Sequence, residues 1–287
     1  MKKILVPTDF SSCAVNALNF VVQTAKLYPV EINLLHVVDI TDRFYSDRLD
    51  LVRNELNAIS EEADKNLNQI KTSIAETESV VIHTFLRDGT IEENILQMCE
   101  ELEIDLVVMG TFGINGLQDR IWGSRTAGLT GKTKVPLMVV PYEYNWKVPE
   151  KLLFATSHFE EDKDVLLQIT SLLEVFKAAL DVVVFTDEDT ADAAEFLEHG
   201  MNMAEYERKL KKHLNTQLLA ATHLSGREFE DTLQDYINSN DIDILAMITY
   251  QRSIWDRIFH PSVTRRMSYH TTIPLLVIPA TKINSKG

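Results

Sequence analysis

The chain repeats itself. Lys151-Leu152-Leu153-Phe154-Ala155-Thr156 stands in place of Lys3-Ile4-Leu5-Val6-Pro7-Thr8, and Ile242–Met247 matches Ile104–Met109. Thr272–Pro279 restates Lys134–Pro141 almost residue for residue, and Gly226 with the stretch from Glu228 answers Gly89 and the stretch that follows it. A chain of 287 residues holds two domains of roughly 140 residues, each large enough to bury its own core, so two copies of one fold are the simplest account of the length. The expected boundaries are residues 1–142 for the first domain, 143–150 for a polar, aromatic, proline-ended connector, and 151–287 for the second domain.

Within the first copy, short apolar runs alternate with amphipathic stretches. Ile4–Val6 reads as a strand ended by Pro7-Thr8-Asp9, after which Ser11 or Ser12 can cap a helix to about Leu27. Glu31–Val38 reads as a second strand, and residues from about Ser46 to Thr77 as one long helix with Leu51, Leu56, Ile59, Ala63, Leu67, Ile70 and Ile74 on its apolar side. A third strand over Val80–Leu86, a helix over Ile91–Leu102, a fourth strand over Ile104–Met109, a helix from Ser124 to about Lys132 and a last strand over Pro136–Pro141 complete the copy. In the second copy, Val182–Phe185 answers the second strand and Met201–Leu219 supplies part of the long helix. Strands that are apolar throughout and alternate with helices imply parallel pairing with both faces covered. The expected architecture is α/β: two tandem doubly wound domains, each a five-stranded parallel sheet in the order 3-2-1-4-5 with helices on both faces.

In such sheets a ligand crevice opens beyond the carboxyl ends of the strands, where the strand order reverses. Pro7–Asp9, Val37–Asp39 and Gly110–Gly113 all follow strand ends and so meet there. The run Gly110-Thr111-Phe112-Gly113, with Gly123-Ser124-Arg125-Thr126 beyond it, has glycines that let the backbone bend and approach a ligand, and hydroxyls where a helix begins. That chemistry suits a phosphate. Glycine turns after strands also serve as plain tight connections, and on the residues alone both readings stand.

Other function classes are disfavoured. The net charge of −15 repels polyanions, and no concentrated basic patch offsets it, so no nucleic-acid partner is expected. The densest basic run, Arg208–Lys212, reads as a solvated helix face. Cys13 and Cys99 lack metal-ligand spacing and read as buried small residues inside the cell. The apolar run after Met1-Lys2-Lys3 is too short for a signal peptide, and no run approaches the roughly 20 residues of a membrane span, so a cytoplasmic protein is expected. His36 reads as packed near the crevice, and the remaining histidines form no local metal motif. Gly131-Lys132-Thr133 looks like the tail of a phosphate-binding P-loop, but Thr126 stands where its first glycine belongs. The aligned pairs Asp119-Arg120 and Asp256-Arg257 read as solvated loop pairs.

Taken together, Val6-Pro7-Thr8-Asp9-Phe10-Ser11, Leu35-His36-Val37-Val38-Asp39 and the loop from Gly110 to Ser124 resemble the universal stress protein family. The chain is similar to a tandem member with two such domains. The family's ATP-binding subset carries G-x2-G-x9-G-[ST], and Gly110, Gly113, Gly123 and Ser124 fall at that spacing. By resemblance, Pro7, Thr8 and Asp9 contact the adenosine end, the Val37 backbone lines the adenine pocket, and Met109 and Gly110 border the ribose and phosphates. The same resemblance has the backbone at Thr111, Gly113, Gly123, Ser124 and Arg125 cradling the phosphate chain, with the Thr126 hydroxyl beside it. The implied ligand is ATP, or ADP or AMP, with or without Mg²⁺. Backbone amides and a helix N-terminus hold such an anion without a basic patch.

The second copy departs from this pattern. Ser157 or His158 stands at the place of Asp9, and Ile248–Ser253 has no glycine where Gly110 and Gly113 stood. One nucleotide site per chain is therefore expected, in the first domain. The final strands, ending at Pro141 and Pro279, lie at sheet edges and are expected to pair across a pseudo-twofold axis, as single-domain relatives dimerise, which leaves homodimerisation of the whole chain and an unidentified protein partner open. Slow ATP hydrolysis or nucleotidyl transfer at the same loop, and a ligand-free interaction module, are the competing readings. Asp9 reads as an acceptor for ligand hydroxyls ahead of a general base.

Overall fold

In the computed structural model of the chain, the described residues are 1–39, 49–111, 129, 132–189, 191–214, 218–248 and 272–280. They fall into two compact units, one ending at Tyr142 and the other beginning at Glu143.

The first unit runs β1 (Lys3–Pro7), α1 (Ser12–Leu27), β2 (Glu31–Val38), α2 (Leu49–Thr77), β3 (Val81–Asp88), α3 (Ile91–Glu101), β4 (Leu106–Thr111) and β5 (Leu137–Pro141). Its sheet order is β3-β2-β1-β4-β5, and the strands are parallel. Right-handed crossovers put α1 and α2 over one face and α3 over the other. β1, in the centre, has Ile4, Leu5, Val6 and Pro7 all buried, as a strand covered on both faces requires. In α2 the spaced apolar residues Leu56, Ile59, Ala63, Leu67, Ile70 and Ile74 are none of them exposed, while most residues between them are. Of the two serines able to cap α1, Ser11 does so: its backbone is extended and its Oγ accepts the Ala14 N–H at 3.3 Å.

The second unit repeats the winding with β6 (Lys151–Thr156), α4 (Lys163–Phe176), β7 (Ala179–Asp187), α5 (Ala193–His213), β8 (Leu218–Gly226), α6 (Phe229–Ser239), β9 (Ile244–Ile248) and β10 (Leu275–Ile278). Its order is β8-β7-β6-β9-β10, again parallel. One expectation is overturned here. The helix does not continue to Leu219: it stops at His213, and Leu218 and Leu219 open β8 instead. Leu-Leu-Ala-Ala suits a helix by propensity, but pairing with β7 across Leu180–Asp187 overrides that weak preference.

The repeat extends to individual hydrogen bonds. Asp105 Oδ2 accepts the backbone N–H groups of Lys2 (2.5 Å) and Lys3 (2.9 Å), and Asp243 Oδ2 accepts those of Glu150 (2.7 Å) and Lys151 (2.9 Å). Lys3 Nζ donates to the Leu102 carbonyl oxygen, as Lys151 Nζ donates to that of Asn240. Each acid thus ties the entry of its unit's central strand to the entry of the fourth. The segment expected as a connector is packed into the second unit: Tyr144 and Pro149 are buried, and Lys147 Nζ reaches Asp243 Oδ1 at 2.5 Å. Burial pushes the Tyr144 hydroxyl up to about 12.

Candidate functional site

The first unit's strand order reverses between β1 and β4, because the chain leaves β1 toward β2 and leaves β4 toward β5. Their carboxyl ends lie side by side, with Ile4 paired to Leu106 and Leu5 to Val107. Pro7 closes β1 and Thr8 follows it, both buried, and Asp9 is exposed. The Thr8 N–H donates to the Leu35 carbonyl at 2.8 Å, which fixes where β1 ends against β2. Asp9 Oδ1 accepts the Ser11 N–H at 3.0 Å, an Asx turn that presents the carboxylate just ahead of α1. Between them Phe10 adopts a left-handed φ of 63°.

β2 supplies the neighbouring wall. The Thr8 carbonyl oxygen is only an acceptor, so His36 Nδ1, 2.8 Å away, carries the hydrogen and donates to it. The His36 ring stacks on Phe10 with centroids 4.5 Å apart and planes 24° apart. Val37 is half-buried beside it. From β4, Met109 is 8% exposed while Gly110 and Thr111 are half-buried at the strand's end. The fold therefore brings Pro7, Thr8, Asp9, Val37, Met109, Gly110 and Thr111 to one end of one sheet. Gly113, Gly123, Ser124, Arg125 and Thr126 lie outside the described residues.

Gly110 has a packing role that its place in a glycine loop does not reveal. A Cβ there would sit 2.0 Å from the Cys13 carbonyl oxygen and 2.4 Å from its carbon. The first turn of α1 rests directly on the end of β4, and the space on that side of Gly110 is already filled by protein. Cys13 is itself buried; burial first, then the Asp9 charge, push its thiol up to about 11, so it is held as a neutral thiol. Phe10 and Asn16 also belong to this region, the latter donating from Nδ2 to the Pro141 carbonyl at 2.7 Å. Neither role is announced by the residue type, since nothing in the sequence says that Phe10 turns left-handed or that Asn16 reaches the last strand.

The second unit builds something different at the corresponding place. The Thr156 hydroxyl, at the end of β6, donates to the His158 carbonyl at 3.1 Å, and His158 Nε2 lies 3.2 Å from Glu160 Oε2. Farther along the sheet, the buried Thr186 hydroxyl lies 2.7 Å from His199 Nδ1 and 2.9 Å from His223 Nε2. Burial, then His199, lower the His223 pKa from its ordinary 6.5. As pH falls below about 6.5 the unfolded chain takes up a proton that the folded unit resists until lower pH, so this histidine's contribution to stability is intact above 6.5 and is lost on acidification. Urea unfolding of the second unit is accordingly expected to shift to lower denaturant between pH 7 and pH 5, and His223→Gln to flatten that shift; equal slopes in both proteins would show that the histidine is not responsible. Residues 249–271, which include Ile248's successors in the expected glycine-free loop, lie outside the described residues. Among the described residues no group of three or more His, Cys, Asp or Glu is placed to hold a metal, and no helix is long and apolar enough to cross a membrane.

The comparisons with known proteins agree with this architecture. The model of the universal stress protein family matches residues 1–141. Universal stress protein MJ0577 of Methanocaldococcus jannaschii is 31% identical over 153 residues, covering 48% of this chain and 94% of that protein. The chain belongs to the universal stress protein family. A second relative from the same organism, universal stress protein MJ0531, is 30% identical over 139 residues and covers 48% of this chain and 81% of its own length. A universal stress protein solved from Archaeoglobus fulgidus shares the fold over 96% of this chain and 98% of its own, with a TM-score of 0.68 at 15% identity. The sequence relatives thus account for about half of this universal stress protein, and the similarity of fold extends over nearly all of it.

Proposed function

We propose that the chain is an adenine-nucleotide-binding protein that holds one ATP, or its ADP or AMP counterpart, in the crevice of the first unit. The observation that carries this reading is the exposed Asp9 carboxylate, held ahead of α1 by the Ser11 N–H at the point where the strand order reverses. Ribose hydroxyls are hydrogen-bond donors, and an ionised carboxylate at that position accepts them. The Phe10–His36 stack offers an aromatic wall for a base with the Val37 backbone at the same strand end, and the G-x2-G-x9-G-S spacing of Gly110, Gly113, Gly123 and Ser124 provides backbone amides for phosphates. Mg²⁺ bound with the phosphates would offset their charge in a protein whose net charge is −15.

The described residues favour binding over turnover. The Cys13 thiol is buried and neutral, and His36 is engaged through Nδ1 in holding the Thr8 carbonyl. Fluorescence titration with a mant-labelled ATP checks the assignment: Asp9→Ala is expected to weaken binding about tenfold, the loss of a hydrogen bond to a charged acceptor. Unchanged affinity in that variant would remove Asp9 from the site, and no binding by the parent chain would overturn the function.

A further inference from the structure

We propose that the second unit carries a separate site for an amphipathic anion, a medium-length alkyl carboxylate, in the groove between α4 and α5. The groove encloses about 440 Å³, which lies within the range of small-molecule sites. Its apolar walls are Leu166 and Leu167 from α4, Leu210 from α5 and Leu214 just past the end of α5. Leu166, Leu210 and Leu214 are buried, but Leu167 is 64% exposed. An alkyl chain laid along the groove leaves water and covers the exposed Leu167, and the gain grows with each methylene buried.

The charges around the groove select the head group. Lys163, Lys209 and His213 all line it, in a protein that is acidic overall. The two acids that line it are already engaged. Glu160, whose side chain is 1% exposed, accepts the Asp162 N–H at 2.6 Å through Oε1 and faces His158 Nε2 through Oε2. Glu161 holds Lys209 Nζ at 2.7 Å, which draws that ammonium to the same rim as Lys163, two residues along the chain. Tyr206 donates its hydroxyl to the Glu160 carbonyl, and His213 Nδ1 donates to the Lys209 carbonyl, so both side chains are held in place at the lining. An incoming carboxylate meets Lys163 directly and can also take Lys209 from Glu161, whereas an ammonium is repelled by Lys163 and finds a partner only by displacing Lys209 from Glu161.

Calorimetric titration of the intact chain with decanoate, decan-1-ol and decylammonium tests this. Decanoate is expected to bind once per chain, octanoate roughly fifteenfold more weakly because two methylenes are lost at about fourfold each, and decylammonium not at all. Thr170→Trp, which places a large ring in the groove from a half-buried position on α4, is expected to abolish decanoate binding. The double variant Lys163→Glu, Lys209→Glu is expected to weaken decanoate at least tenfold while admitting decylammonium, and circular dichroism establishes that both variants are folded. Absence of decanoate binding below its micellar concentration overturns the site. Equal affinities for decanoate and decan-1-ol, or decanoate binding unaffected by the charge reversal, overturn the assignment of an anion, and binding unaffected by Thr170→Trp overturns its location.

Discussion

Gly110→Ala is expected to destabilise the first unit by about 3 kcal/mol, at the upper end of what over-packing costs in a close-packed interior. The added methyl would lie 2.0 Å from the Cys13 carbonyl oxygen and 3.1 Å from the Ala14 nitrogen, and both are backbone atoms in the first turn of a helix. They cannot rotate away as a flexible side chain would. Relief requires α1 to lift from the sheet, and α1 is tied at its start by the Ser11 cap and farther along by the Asn16 bond to Pro141. Gly200 supplies the contrast. It lies in α5, where an added Cβ meets nothing closer than His223 Nδ1 at 3.9 Å, so Gly200→Ala is expected to stabilise by up to about 1 kcal/mol through helix propensity alone. Urea unfolding of the two variants should therefore move in opposite directions. A Gly110→Ala protein that unfolds at the parent's midpoint would show that α1 does not rest on β4 as described.

Asp243→Ala is expected to remove about 3 kcal/mol from the second unit, and the equivalent Asp105→Ala only about 1 kcal/mol from the first. The two aspartates make the same pair of bonds to the start of a central strand, but Asp243 is 3% exposed and also holds Lys147, whereas Asp105 is exposed. Removing the buried carboxylate leaves the Glu150 and Lys151 N–H groups without their acceptor in a place water does not readily reach, while Lys2 and Lys3 can be solvated in compensation. Hydrogen exchange at the Glu150 and Lys151 amides reads the difference directly. Equal losses in the two variants would mean that burial does not distinguish the two copies of this motif.

Much of the fold is legible in the residues because it rests on period and composition. Branched apolar runs such as Glu31–Val38 and the spaced leucines and isoleucines of α2 each have one good solution, and the repeat doubles every such signal. What escapes is whatever depends on contact between distant residues. β8 is hidden because Leu218–Ala221 favours a helix until β7 is beside it. Asn33 and Asp181 are unexpected inside strands, yet both are buried and hold the same register, opposite Leu5 and Leu153 on the central strands; Tyr236 donates its hydroxyl to Asp181 Oδ2 at 3.3 Å. Of the candidate site, the sequence indicates the residue types and the place beyond the strand ends where Pro7–Asp9, Val37 and Met109–Thr111 meet. The reason for Gly110 is not legible, since nothing in the string of residues says that Cys13 passes over it. Nor does the sequence announce Phe10 as the partner of His36, because the stack depends on a left-handed turn that a phenylalanine rarely makes.

The difference between the two halves is the centre of the account: one copy carries the crevice proposed for a nucleotide, and the other repeats the winding while placing His158, Glu160 and the Thr186 histidine pair near its strand ends. Isothermal titration of the intact chain with ATP in the presence of Mg²⁺ measures that difference as a stoichiometry. The account predicts one ATP per chain, with the heat of binding strongly reduced by Asp9→Ala. A value near two, or none, would contradict it.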